Sequence, residues 1–190
     1  MPKILVHACC AHCTAYTIEH FRQAGYEVTA LWYNPNIHPY QEHQSRLTAM
    51  TTLAEKAGFP LIVVPEYDFI RYLRAVSGHE DTRCTFCFRL RLQRTAEIAA
   101  EHGMSAFSTS LLISPHQIHE LIQKMGDEAA QDTGTEFVYA DLRKKYSDSR
   151  RITKPLELYR QQYCGCLYSE YERYADVKIG RGETNPPTTT

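Results

Sequence analysis

No stretch of this 190-residue chain approaches the ~20 consecutive apolar residues that span a bilayer. Its first apolar run, Ile4-Leu5-Val6, is broken at once by His7, too short for the hydrophobic segment of a secretory signal. Charge of one sign is also missing. Lys and Arg number 21 against 22 Asp and Glu, the net charge is −1 and the pI is about 6.7, so bulk charge neither predicts nor excludes a nucleic-acid partner. A glycine-rich phosphate loop of either standard type is absent, which leaves nucleotide-dependent chemistry without a motif. There is no internal repeat, and no low-complexity segment precedes the C-terminal tail. Cysteine, by contrast, is not scarce. With no membrane span and no signal, the expected setting is a reducing cytoplasm, where seven cysteines serve as ligands or redox groups rather than bridges.

At 43% hydrophobic content, the length suits one α/β domain with an ample core. Ile4–His7 reads as a buried strand, Thr14–Ala24 as a helix stopped by Gly25, and Tyr26–Tyr33 as a second strand. The second strand runs into the proline-stiffened loop Asn34-Pro35-Asn36-Ile37-His38-Pro39. Tyr40–Ala57 is a long helix closed by Gly58, Leu61–Val64 a third strand, and Asp68 a candidate N-cap for a helix over Phe69–Val76. Arg83–His102 is strongly helical, and Ala106–Ile113 is a fourth strand. Ser114-Pro115 reads as a cap with proline at the first helical position. A helix through Leu121, Ile122 and Met125 leads to a fifth strand, Phe137–Ala140. Residues 156–173 should be largely helical, and 180–190 disordered. Strand alternating with helix at this spacing implies βαβ units and a parallel sheet, with ligands gathered outside the carboxyl ends of the strands.

The cysteines fall in three segments: Cys9, Cys10 and Cys13 after the first strand; Cys84 and Cys87; and Cys164 and Cys166. Adjacent cysteines such as Cys9 and Cys10 close a disulfide only with strain, whereas thiolates at a helix N-terminus are favoured metal ligands. A CxxC pair opening a helix can hold one edge of a metal site or act as a dithiol couple. The glycine between Cys164 and Cys166 would let the backbone lie close to a bulky ligand. Four thiolates complete a zinc site and leave three unexplained. Seven are better accounted for by a 4Fe–4S cluster with four ligands plus a second metal or a redox pair. The bland alternative is a set of buried free thiols.

His7 and His12 flank the first segment as candidate hydrogen-bonding neighbours of ligands, and His38 could reach the site from its loop. His116 and His119 share a helical side that reads as solvated. A basic run, Arg143, Lys144, Lys145, Arg150, Arg151 and Lys154 with Tyr146 among them, suits phosphate contact and base stacking. An ordinary charged loop would look the same. Arg89, Arg91 and Arg94 would extend a positive rim if they faced the same way.

HACCAHC (7–13), YNPNIHP (33–39), RCTFCFRLRL (83–92) with Arg94-Thr95-Ala96, FSTSLLISPHQ (107–117), Asp141-Leu142-Arg143 and YRQQYCGC (159–166) closely resemble the QueH family of epoxyqueuosine reductases. The resemblance spans about residues 4 to 173. It implies a three-layer HUP-like α/β domain over 1–178 with a mostly parallel central sheet, a cysteine-rich metal site at its carboxyl edge, and a tail at 179–190. It also implies two-electron, cobalamin-independent reduction of epoxyqueuosine to queuosine at the wobble position of tRNAs with GUN anticodons. The cofactors it implies are a 4Fe–4S cluster and a second, mononuclear iron. Cys9, Cys10, Cys84, Cys87, Cys164 and Cys166 match its cysteine motifs; Cys13 stands where the family accepts aspartate, itself a possible iron ligand. Epoxide removal needs a proton donor, for which His38, Tyr139, Asp141 and Tyr146 are candidates. Arg89, Arg91, Arg143, Lys144, Lys145, Arg150 and Arg151 would grip the anticodon arm, and a low-potential ferredoxin- or flavodoxin-like protein would supply electrons. The rival readings are a zinc-stabilised tRNA-binding module and an ATP-dependent HUP-type tRNA sulfur transferase.

Overall fold

The computed structural model describes residues 1–176. Twelve elements carry the fold: β1 (Lys3–His7), α1 (Ala11–Gln23), β2 (Glu27–Trp32), α2 (Tyr40–Ala57), β3 (Leu61–Val63), α3 (Phe69–Val76), α4 (Arg83–Glu101), β4 (Ala106–Thr109), α5 (His119–Thr133), β5 (Glu136–Phe137), α6 (Tyr146–Thr153) and α7 (Leu167–Tyr174). The strands form one sheet in the order β3-β2-β1-β4-β5, and every pairing is parallel. β1 lies at the centre, with Ile4 beside Val28 on one side and Ala106 on the other.

A central parallel strand is covered on both faces, so it reads as a continuous apolar run. Ile4, Leu5 and Val6 are each 0% exposed, and each buried side chain of this kind contributes about 1.5–3 kcal/mol. Alternation sends Ile4 and Val6 into a core with Ile18, Phe21, Met50 and Leu53 of α1 and α2. Leu5 joins Phe88, Leu92, Ile122 and Met125 of α4 and α5 on the opposite face. The expected three-layer α/β architecture follows, and it brings the loops after β1, β2 and β4 to one edge.

Several boundaries differ from expectation. α1 begins at Ala11 rather than Thr14, because the Cys10 sulfur caps it by accepting the Cys13 N–H at 3.3 Å. β4 stops at Thr109, whose hydroxyl accepts the Leu111 N–H at 3.2 Å and turns Ser110–Ile113 into a 3-10 segment. α5 starts at His119, not Pro115; the Ser114 hydroxyl instead accepts from His116 N within a turn. Asp68 does precede α3, but it makes no cap hydrogen bond and receives the Tyr33 hydroxyl at 3.3 Å. The helix expected over 156–173 is confined to α7, and the chain before it is irregular. The fifth strand is shorter than expected, though Val138 N still reaches Phe107 O at 2.9 Å. The tail expected to be disordered lies outside the described residues, as do the last two residues of the expected 1–178 domain.

Candidate metal centre and its cavity

Where β1 ends, the turn into α1 places the first three cysteines. Cys9 N is held by the Ser110 hydroxyl at 3.0 Å, Cys10 is the α1 cap, and Cys13 follows in the first turn. The three sulfur atoms lie within 4.8 Å of one another, which fits a shared metal ion. Cys9 Sγ is 4.0 Å from Cys10 Sγ, and the Gln161 amide donates to Cys10 Sγ at 2.9 Å. Hydrogen bonds from the Cys13 and Cys9 thiols, joined by the Cys13 N–H, hold Cys10 well below the usual thiol pKa. The Cys10 hydrogen bond pushes Cys9 up to about 11, so Cys10 is the more acidic thiol of the two.

The remaining four cysteines do not enter that tight group. Cys84 and Cys87 lie in the first turns of α4, and Cys166 caps α7 by accepting from Ser169 N at 3.4 Å. Burial opposes ionisation of Cys166, but donors from Ser169, Tyr72 and Arg83 outweigh it and lower its pKa. Burial pushes Cys87 up to about 12. Cys164, two residues before Cys166, lines the same cavity as Cys9 and Cys13 and so stands between the two sets. All seven cysteines are free.

The Cys164–Cys166 segment is anchored by distant residues. Arg46, paired with Glu42 at 2.7 Å, donates to Cys164 O at 2.8 Å and Tyr163 O at 3.0 Å. His38 N donates to Gly165 O at 2.8 Å, and the Tyr163 hydroxyl donates to His38 O. A Cβ on Gly165, whose φ is +150°, would stand 3.1 Å from both Asn36 Nδ2 and Ile37 Cγ1. The missing Cβ at Gly165 leaves room for the proline loop.

A cavity of about 340 Å³ opens beside these sulfurs, with Cys9, Cys13 and Cys164 in its wall. Among the described residues, five arginines (46, 91, 150, 160 and 173) line it and no carboxylate does. His12, His116, Gln117, Tyr146 and Gln161 are among its other polar lining residues. Arg46, Arg160 and Gln161 were not anticipated, although Arg160 and Gln161 sit inside the motif YRQQYCGC.

Several expected site residues are placed elsewhere. His38 is 1% exposed, donates from Nε2 to Pro35 O at 3.0 Å and packs on Phe69 and Tyr72, outside the cavity wall. Asp141 is gripped by the Arg143 guanidinium, which holds its carboxyl far below the usual range, so at neutral pH it has no proton to give. Tyr139 bonds to His119 instead of entering the cavity. Of the four candidate donors only Tyr146 lines the cavity. In the basic set, Arg91 is 2% exposed and cannot grip a surface ligand, because its helical position turns it into the core. Arg143 pairs with Asp141, Lys145 and Arg151 with Asp148, and Arg89 with Glu128. Lys144 and Arg150 are exposed and have no ion pair among the described residues. Also among the described residues, no helix is long and apolar enough to cross a membrane.

The class these features define is a parallel α/β domain whose thiol cluster, at the carboxyl edge beside a cationic cavity, could hold a metal. The family model described as epoxyqueuosine reductase QueH matches residues 4–172, and the chain belongs to that family of oxidoreductases. An epoxyqueuosine reductase QueH of Dehalococcoides mccartyi is 57% identical over 173 residues, covering 91% of this chain and 95% of that protein. One from Thermotoga maritima is 35% identical over 196 residues, covering 96% and 99%. Among solved structures, a predicted subunit of a tRNA methyltransferase from Methanocaldococcus jannaschii shares the fold, with a TM-score of 0.53 at 13% identity over 81% of this chain and 75% of that one.

Proposed function

We propose that this chain is a cytoplasmic, HUP-like epoxyqueuosine reductase that acts on the wobble nucleoside of tRNAs with GUN anticodons. The reaction converts epoxyqueuosine to queuosine with two electrons and two protons, releasing the epoxide oxygen as water. The observation that carries the reading is the sulfur cluster opening directly into a cavity walled by arginines. All seven cysteines serve as ligands, holding a 4Fe–4S cluster and an adjacent iron. When bound, these groups supply single-electron relay and an oxophilic Lewis acid.

The chain's own residues do the rest. Arg150 and Arg160 attract the anticodon phosphates, with Lys144 and the ion-paired Arg143, Lys145, Arg151 and Arg89 as an outer field. A loop nucleotide can be splayed into the cavity without opening a duplex. Tyr146, whose pKa is raised by burial and by Cys13 and Cys10, keeps its proton at neutral pH and can deliver it to the opened epoxide. A low-potential ferredoxin- or flavodoxin-like protein supplies electrons.

The test is incubation of anaerobically purified, reconstituted protein with epoxyqueuosine-containing tRNA and dithionite, followed by mass analysis of the nucleosides. Queuosine is the expected product, without added ATP or cobalamin. A colourless, zinc-only protein that binds tRNA and leaves the epoxide untouched would overturn the reading.

A further inference from the structure

Among the described residues two arginines are buried, Arg46 and Arg91, each 2% exposed, and they are compensated differently. Arg46 has the Glu42 carboxylate at 2.7 Å. Arg91 has no carboxylate among its partners: Nε reaches His7 Nε2 at 3.3 Å, Nη2 donates to Asn34 Oδ1 at 3.2 Å, and Nη1 donates to Cys87 Sγ at 3.7 Å. His7 supplies no charge either. Wholly buried, it stays neutral, its other ring nitrogen on the Thr109 hydroxyl at 3.0 Å. A guanidinium taken out of water without an anion is strongly penalised, and it cannot relieve the penalty by losing its proton.

Cys87 Sγ lies 3.7 Å from Nη1 of Arg91, and Cys9 and Cys164 share the cavity wall with this guanidinium. These are one sulfur from each of the three cysteine segments. As protonated thiols they would leave it uncompensated; as metal-bound thiolates they would neutralise it. We propose that Arg91 is the internal counter-cation of the metal-thiolate centre and sets its reduction potential. The proposal rests on the iron-binding reading above. A fixed, buried cation favours the more negative, reduced state, so it raises the potential of the centre it faces.

The test is an EPR-monitored reductive titration of the anaerobically reconstituted wild type, Arg91→Met and Arg91→Lys, with iron and sulfide assayed on each. Methionine keeps much of the length without the charge; lysine keeps the charge without the fork. Arg91→Met should shift the oxidised-to-reduced ratio at fixed potential at least tenfold toward the oxidised form, about 59 mV negative for a one-electron couple. Arg91→Lys should stay close to wild type. If Arg91→Met cannot retain iron while Arg91→Lys can, the requirement for charge is equally supported. The proposal is overturned if Arg91→Met holds full iron at the wild-type potential. It is equally overturned if lysine behaves as methionine does, whether in potential or in iron loss, since shape alone would then be at work. A wild type that binds no iron would defeat the iron-binding reading itself, and this role with it.

Discussion

The sulfurs of the first segment and those of the last are held in opposite ways. Cys9, Cys10 and Cys13 are placed by one turn of chain: a strand ends, a cysteine caps the next helix, and that helix's first turn brings the third sulfur within 4.8 Å of the others. Cys164 and Cys166 sit in an irregular stretch fixed by Arg46 and His38 and packed close to the Asn36 and Ile37 side chains, all more than a hundred residues away. Local geometry tolerates change around it. A segment held by a few long-range hydrogen bonds can be lost through any one of them.

That contrast is broken most forcefully at Arg46. Arg46→Met leaves the buried Glu42 unpaired and frees two carbonyls of the last segment, so urea unfolding should show a loss of about 3–5 kcal/mol. Iron retained after anaerobic reconstitution should fall with it. Gly165→Ala should follow, because the new Cβ meets Asn36 and Ile37 at 3.1 Å each and the residue cannot relax from φ +150°. Its signature is loss of iron larger than its loss of stability, measured by iron assay against urea titration. Cys10→Ser should abolish binding at the first segment, read as iron per chain, while moving stability of the metal-free fold by about 1 kcal/mol, since serine can also cap a helix.

A smaller effect is expected from acid. Burial, together with the Arg46 charge, lowers His43 from 6.5 to about 4, and Trp32 Nε1 donates to its Nε2 at 3.1 Å. The unfolded chain binds this proton first, so the metal-free protein should lose up to about 1.4 kcal/mol per pH unit as pH falls from 6.5 toward 4. His43→Gln, which can still accept from Trp32, should flatten that slope in urea melts at successive pH values. The smallest effect separates two neighbouring arginines. Arg150→Glu should weaken tRNA binding about tenfold more than Arg151→Glu, because Arg151 already answers to Asp148 at 3.0 Å. Filter binding at two salt concentrations would compare them.

The sheet was readable because each of its central strands is a short apolar run bounded by a turn residue, and the cysteine segments were readable as motifs. The onset of α1 was not, since its cap is a cysteine rather than the usual serine, threonine or aspartate. From sequence Arg91 reads as outside or facing the site, and it is helical phase that decides between the two. Cys84, Cys87, Phe88, Arg91, Leu92 and Thr95 share one helical face, and that face is the one α4 turns inward. The Asp141–Arg143 pair, which removes a proton donor and neutralises a cation together, depends on a loop conformation with no periodicity to betray it. Arg46 and Glu42 look from sequence like an ordinary surface pair at helical spacing; only the fold buries them.

Iron and acid-labile sulfide, measured together on the anaerobically reconstituted chain, test the account at its centre. About five irons and about four sulfides per chain, with an EPR signal appearing on reduction, are predicted. Zinc in their place, with no sulfide and no signal, would contradict it.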